Sequence, residues 1–350
     1  MSGRADESTD FWRNNHVWKR LSPGSDEATG FCGLADREKF RNLGNMPLQP
    51  RRSFRHQKGR QPEPPAGSKP TQKSRGWDPV AEWYDKLVGD SGSDYHQNVI
   101  LPAALRMLDP KSGESVIDVC CGQGVLVRPL LESGIGKFTG VDASPRLIEA
   151  GKSRHGSDPR VSLIVADACE PGAWASGDHD AATCIMAVHD VPDLVGMFSN
   201  LAGSLKPGGR AVLVFMHPCF RIPRKTHWGW DADQKIQFRR LDSYGTPLEI
   251  PITTHPGKGT GEVTHFHHRP LADLLNALGK SGLAVTGSEE LFTHRRSQSG
   301  PFSKAEHRAA EEFPLFLALK AVKSANCISH FRRGLVTKSK FPHFILQPFC

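Results

Sequence analysis

Between residues 114 and 217 short apolar runs alternate with segments of helical periodicity, and this alternation decides what the chain can become. ESVIDVCC, KFTGVDA, VSLIVADA, AATCIMAVH and RAVLVFMH read as strands. VLVRPLLESG, SPRLIEAGKSR and VPDLVGMFSNLAGSL lie between them with apolar positions three and four apart, and Ser144 stands where the second helix needs an N-cap. Continuous β-branched runs separated by helices predict a mostly parallel sheet covered on both faces. Lys206-Pro207-Gly208-Gly209 reads as the turn into the fifth strand.

Upstream, WDPVAEWYDKLV and HQNVILPAALRML read as short amphipathic helices. Downstream, residues 218–268 interrupt the alternation with a Pro-, Gly-, His- and Thr-rich stretch, which reads as a long loop serving as a lid. RPLADLLNALGKSG is a further helix, and LAVTGSEEL and FPLFLALKAV are two last strands with a polar loop, RRSQSGPFSKAEHR, between them. Residues 1–75 and 324–350 lack sustained periodicity, so the expected organisation is a disordered basic extension at 1–75, one α/β domain at 76–323 and a basic tail at 324–350.

The formal net charge of +8 belongs to the two ends. Residues 1–75 hold 15 Lys/Arg against 8 Asp/Glu and residues 324–350 hold 4 against 0, whereas 76–323 holds 26 against 29. The central domain is therefore mildly acidic, and composition gives no reason for nucleic-acid binding there. Nothing approaches an 18-residue apolar run, so no membrane span is expected, and MSGRADESTDFW lacks the apolar core of a secretory signal. The 8 cysteines form no CxxC pair. Free thiols in a reducing, cytoplasmic setting are expected.

Chemistry concentrates at the strand ends. VIDVCCGQG at 116–124 places Asp118 before a glycine turn at Gly122 and Gly124, where backbone can approach a ligand beyond the carboxyl edge of the sheet. A dinucleotide fingerprint would need a third glycine at the position of Val127, and no Walker-type GK[ST] follows. Asp142 ends the second strand, where a carboxylate accepts ribose hydroxyls, and Asp167 ends the third. Each acid alone might as well cap the helix after it; three at the ends of three successive strands point to a nucleoside site.

VIDVCCGQG, GVDAS, VADA and LKPGGRAVLVF resemble the successive motifs of class I S-adenosylmethionine-dependent methyltransferases, over about residues 76–323. The resemblance implies a Rossmann-like α/β fold with a seven-stranded, mostly parallel sheet whose final strand is antiparallel. It implies S-adenosylmethionine as cofactor, with Asp118, Gly122 and Gly124 at the methionine part, Asp142 at the ribose, Asp167 at the adenine, and Ala143 and Ala168 flanking the adenine. Cys120 stands where the usual pattern has glycine and belongs to the same cofactor-binding turn. FMHPCF, HHRPLADLLNAL and EEFPLFLALKA further resemble a bacterial branch with small-molecule acceptors.

The implied reaction is in-line methyl transfer to a small molecule, with the insertion and N-terminal helices covering the acceptor. His189 after the fourth strand and His217 after the fifth are the candidate bases, against a plain role in bonding loop backbone. Tyr84 is placed either over the cofactor or simply in a packed helix, and Trp228, Trp230, Phe220 and Phe266 either line the acceptor pocket or anchor the insertion. His255, His265, His267 and His268 match no zinc spacing, and no metal is expected. Three rival readings are an NAD(P)-dependent oxidoreductase, an RNA methyltransferase using the basic tails, and a cofactor-binding module without catalysis. AVHDVPD lacks the [ND]PP[YF] of many base-amino methyltransferases, which counts against the second.

Overall fold

The computed structural model describes residues 76–324 apart from residues 173, 254–261 and 298. The expectations for 1–75 and 325–350, and for His255, lie outside the described residues. A short 3-10 turn, Asp78–Val80, leads into α1 (Ala81–Val88), and a π-turn, His96–Ile100, leads into α2 (Leu101–Leu108). The alternation then follows as β1 (Ser115–Val119), α3 (Val127–Glu132), β2 (Lys137–Asp142), α4 (Pro145–His155), β3 (Val161–Val165), β4 (His179–Ile185), α5 (Leu194–Ser204) and β5 (Leu205–Met216). Ser144 caps α4 as expected, its Oγ accepting from Leu147 N at 3.2 Å, and Asp193 caps α5 by accepting from Gly196 N at 2.9 Å.

Seven strands form one sheet in the order β10-β11-β5-β4-β1-β2-β3, with β10 at Leu283–Leu291 and β11 at Phe316–Lys323. β1 pairs in parallel with β2 and β4, and β4 with β5, while β11 runs antiparallel to both β5 and β10. This is the predicted Rossmann-like, mostly parallel sheet. Its strands obey the period-two rule with apolar residues on both faces. Val116, Val212 and Val214 enter one core with α2, whereas Ile117, Leu213 and Phe215 enter the other with α5.

Three segments differ from the sequence reading. The 218–268 insertion is no open loop: it folds into two antiparallel hairpins, β6 (Thr226–Asp231) with β7 (Ile236–Leu241), and β8 (Leu248–Thr253) with β9 (Val263–His268). Alternation was present there but in polar residues, since the buried positions of β9 are Thr264, Phe266 and His268. The polar loop before β11 contains α6's successor, a helix at Ser303–Glu312 (α7; α6 is Leu271–Lys280), which buries only Ala309 and so has no apolar stripe to announce it. Residues 206–209 belong to β5 itself, with a register irregularity against β4 between His179 and Ala181.

Gly140, in the middle of β2, shows how tightly this strand is packed: a Cβ there would stand 2.6 Å from Leu163 Cδ2 and 2.8 Å from Cys121 Sγ. Gly140→Val is expected to lower stability by about 2 kcal/mol through overpacking, measured as a lower urea midpoint with an unchanged slope.

Candidate active site

The carboxyl ends of β1, β2 and β4 bring the site together. β1 ends at Val119, and Cys120 then turns with φ 60°, followed by Gly122 at 55° and Gly124 at 88°. Left-handed backbone suits glycine, so Cys120 explains its own oddity: it occupies a conformation in which a Cβ is disfavoured. Met186 repeats the feature at the end of β4, with φ 59°. Two central strands therefore leave the sheet through left-handed non-glycine residues, and strain of this kind collects at functional sites.

Asp142 links two of these turns. Its Oδ2 accepts from Gly122 N at 2.9 Å and its Oδ1 from Ser144 N at 2.8 Å. Each oxygen keeps a further lone pair, the chemistry needed for two vicinal hydroxyls. Asp118 is buried, accepting from Thr183 Oγ1 at 2.6 Å. Burial raises its pKa to about 7, the Thr183 bond opposes that rise, and the nearby Asp142 charge adds to it. Burial likewise raises Asp142, against its two N–H bonds.

A third acid, Asp190, joins them from the end of β4, raised well above its ordinary value by burial and by Asp142, although Trp77 Nε1 donates to its Oδ2 at 3.1 Å. The sequence reading passed over Asp190 and Trp77. The rule that picked the other acids would have found Asp190, since it too follows a strand; Trp77 lies 113 residues away and gave no signal. Tyr84 stacks on Trp77 with ring centroids 5.0 Å apart, and its Cε1 would lie 3.6 Å from a Cβ at Gly122. Burial pushes the Tyr84 hydroxyl up, helped by Asp190, Asp142 and Asp118. Arg154 holds α1 in this place through two bonds to Asp85, at 2.6 and 2.7 Å.

The other expected residues sit as follows. Asp167 is exposed at the end of β3, its Oδ1 accepting from Cys169 N at 2.8 Å, with Ala168 buried and Ala143 exposed beside Asp142. His189 is pushed down to about 3 by burial and by Arg269 and His267, so its ring is neutral, and its Nδ1 is buried with no hydrogen-bond partner. His217 is different. Its Nδ1 accepts from Cys219 N at 3.1 Å and its Nε2 donates to Glu290 Oε1 at 3.2 Å, which leaves neither nitrogen for an acceptor's proton. Phe266 packs on His189, with centroids 4.9 Å apart, whereas Phe220 and Trp228 pack on Phe313 and Trp230 on Phe302. The histidines of β9 serve local bonds: His265 meets Glu249 at 2.7 Å, and His268 Nε2 donates to Tyr244 O at 2.7 Å. Among the described residues no three His, Cys, Asp or Glu converge as a metal site.

Residues 116–209 match the model of a methyltransferase domain family. Demethylmenaquinone methyltransferase of Tropheryma whipplei (strain Twist) is 31% identical over 142 residues, which are 40% of this chain and 57% of that protein. The Staphylococcus aureus (strain MRSA252) protein of the same name is 28% identical over 135 residues, 38% of this chain and 55% of its own. The chain thus spans a little over half the length of the curated relatives it matches. An S-adenosylmethionine dependent methyltransferase structure from Mesorhizobium loti superposes with a TM-score of 0.50 at 28% identity, covering 63% of this chain and 96% of that one. A Listeria monocytogenes structure shares the fold at a TM-score of 0.52 and 19% identity, covering 64% and 96%.

The sheet has the class I methyltransferase fold, and residues 116–209 match a methyltransferase-domain family model. S-adenosylmethionine is the cofactor of that class, and the third glycine a dinucleotide fold would need is Val127, buried at the start of α3. No helix among the described residues is long and apolar enough to cross a membrane.

A carboxylate with a raised folded pKa binds its proton more readily folded than unfolded. For Asp118 stability is therefore highest below about pH 4 and falls as pH rises through about 7. Asp118→Asn keeps an acceptor for Thr183 and removes the charge, so at pH 8 it is expected to gain on the order of 2 kcal/mol, several degrees of Tm. At pH 4 thermal melts of the two proteins should coincide.

Proposed function

We propose that this protein is an S-adenosylmethionine-dependent methyltransferase acting on a small-molecule acceptor by in-line displacement. The observation that carries the reading is the cluster of one buried carboxylate, Asp118, and two half-buried ones, Asp142 and Asp190, around a left-handed glycine turn. Three acids driven toward protonation by burial and by one another are a poor site for an anionic dinucleotide and a good one for a ligand carrying sulfonium and ammonium charges. The names of the curated relatives, demethylmenaquinone methyltransferases, support a small-molecule acceptor.

In this reading Asp142 takes the ribose hydroxyls on its free lone pairs, and Asp167 with Ala143 and Ala168 receives the adenine. The turn at Cys120, Gly122 and Gly124, with Asp118 beneath it, holds the methionine part. S-adenosylmethionine supplies an activated methyl: the acceptor's lone pair forms the new bond to carbon while the carbon–sulfur pair returns to sulfur as a neutral thioether. The chain's task is alignment and exclusion of water, and Trp77 and Tyr84 cover the turn for that purpose. His189 stands at this edge with its ring neutral, but a histidine pushed down to about 3 with a buried Nδ1 is a weak proton acceptor, so the reading suits an acceptor that needs no strong base. His217 positions the loop after β5 through Cys219 and Glu290 instead.

Calorimetric titration of the full chain with S-adenosylmethionine tests the reading. Binding is expected, weakened at least about tenfold by Asp142→Ala, which removes two hydroxyl acceptors; silence, or a variant that binds like the parent, refutes it. Because Asp118 titrates near 7, a bound cation must expel its proton. Affinity should therefore rise as pH increases from about 6 to 8, and buffers of different ionisation enthalpy should reveal proton release.

A further inference from the structure

Two arginines beyond the carboxyl end of β5 are buried with no carboxylate beside them among the described residues. Arg221, in the loop after β5, is 8% exposed and Arg239, on β7, is 9% exposed. Arg239 is held in place: its Nε donates to Phe220 O at 3.1 Å, its Nη2 to Thr226 Oγ1 at 2.8 Å, and its guanidinium lies 4.8 Å from the Trp228 ring centre. Among the described residues its Nη1 nevertheless has no hydrogen-bond partner, and neither has Nε of Arg221. Among the described residues no carboxylate pairs with either one; the charge that Arg239 feels is that of Arg221. Burial pushes Arg221 down to about 10, and burial with this repulsion pushes Arg239 down to about 9, so both remain cationic at neutral pH.

Side-by-side buried cations oppose folding unless something negative offsets them. Their surroundings indicate what that is. Phe220 and Phe313 have ring centroids 5.6 Å apart, Trp228 and Phe313 5.4 Å, and all three rings are half-buried. The Arg239 guanidinium thus lies over an aromatic face beyond the same sheet edge as the carboxylates. β5 lies two strands from β1 in the sheet, roughly 10 Å.

We propose that Arg221 and Arg239 bind the anionic head of the methyl acceptor, a carboxylate or phosphate on an apolar body seated against Phe220, Trp228 and Phe313. The proposal rests on the methyltransferase reading and adds to it the charge and chemical class of the acceptor. Planar guanidiniums match either oxyanion in geometry, and the aromatic rings select an organic anion over inorganic phosphate.

The test uses the full chain and four probes at fixed ionic strength: benzoate, phenyl phosphate, inorganic phosphate and the neutral isostere benzamide. Benzoate or phenyl phosphate is expected to bind at least about tenfold more tightly than benzamide, and the stronger of the two identifies the head group. Arg221→Met should abolish this preference while leaving Tm equal or higher, because it removes an uncompensated buried charge. Arg239→Lys, which keeps the charge and loses the fork, should weaken the anions less than Arg221→Met does. S-adenosylhomocysteine affinity, measured in parallel, should stay within about twofold of the parent in both variants. Equal binding of benzamide and benzoate, or an Arg221→Met protein that loses Tm yet keeps the anion preference, overturns the proposal. Loss of S-adenosylhomocysteine binding in the parent itself would instead sink the methyltransferase reading, and the acceptor assignment with it.

Discussion

The carboxylate of Asp142 joins the two turns on which the site stands. By accepting from Gly122 N and Ser144 N it ties the glycine turn after β1 to the cap of α4. Ser144 Oγ in turn donates to Asp78 Oδ1 at 2.7 Å, so the N-terminal segment bearing Trp77 and Tyr84 is fixed to the same point. One half-buried acid thereby links a strand end, a helix start and the cover over both. Its energetic cost is visible in the direction of its pKa, which burial raises despite two backbone donors. Local structure is sacrificed in the same place: Cys120 and Met186 adopt backbone angles that residues with a Cβ avoid.

The sheet and the acids of its first three strand ends were legible in the chain because both follow from period and position. Buried parallel strands leave continuous apolar runs, and an acid directly after such a run falls on the carboxyl edge whatever surrounds it. The hairpins of the insertion were hidden because their alternation is written in Thr, His and Arg, so composition masked the period. Helix Ser303–Glu312 was hidden for a related reason, since it buries a single alanine. Contacts across the fold left no trace: Asp190 meets Trp77 from 113 positions away, and nothing in the string HPCFRI marks Arg221 as buried. His217 illustrates the converse. Its place after β5 suits a base, and only the structure reveals that its nitrogens bond to Glu290 and to Cys219 N.

Charge is divided along one edge of the sheet. Carboxylates that are buried or half-buried stand beyond β1, β2 and β4, while guanidiniums are buried beyond β5, and among the described residues neither set pairs with the other. Both sets weigh against the stability of the fold, because removing a charge from water is unfavourable unless an opposite charge offsets it. A protein assembled for stability alone would replace them with apolar side chains. The two groups occupy the edge where an α/β sheet presents its strand ends, which is where such expense is found when the chain does chemistry.

The position of β11 bears on how the molecule is made. This strand, the last of the sheet in sequence, pairs with β5 on one side and β10 on the other, so the sheet cannot be completed until Phe316–Lys323 has been synthesised. Until then β5 and β10 present open edges, and the apolar faces of Leu213, Phe215 and Leu291 have no cover from Phe316, Leu317 and Leu319. Such edges are templates for pairing with another chain. A nascent chain halted before Phe316 would therefore be a substrate for chaperones or aggregation rather than a smaller version of the fold, and the closing step of assembly is the insertion of one strand into a gap held open for it.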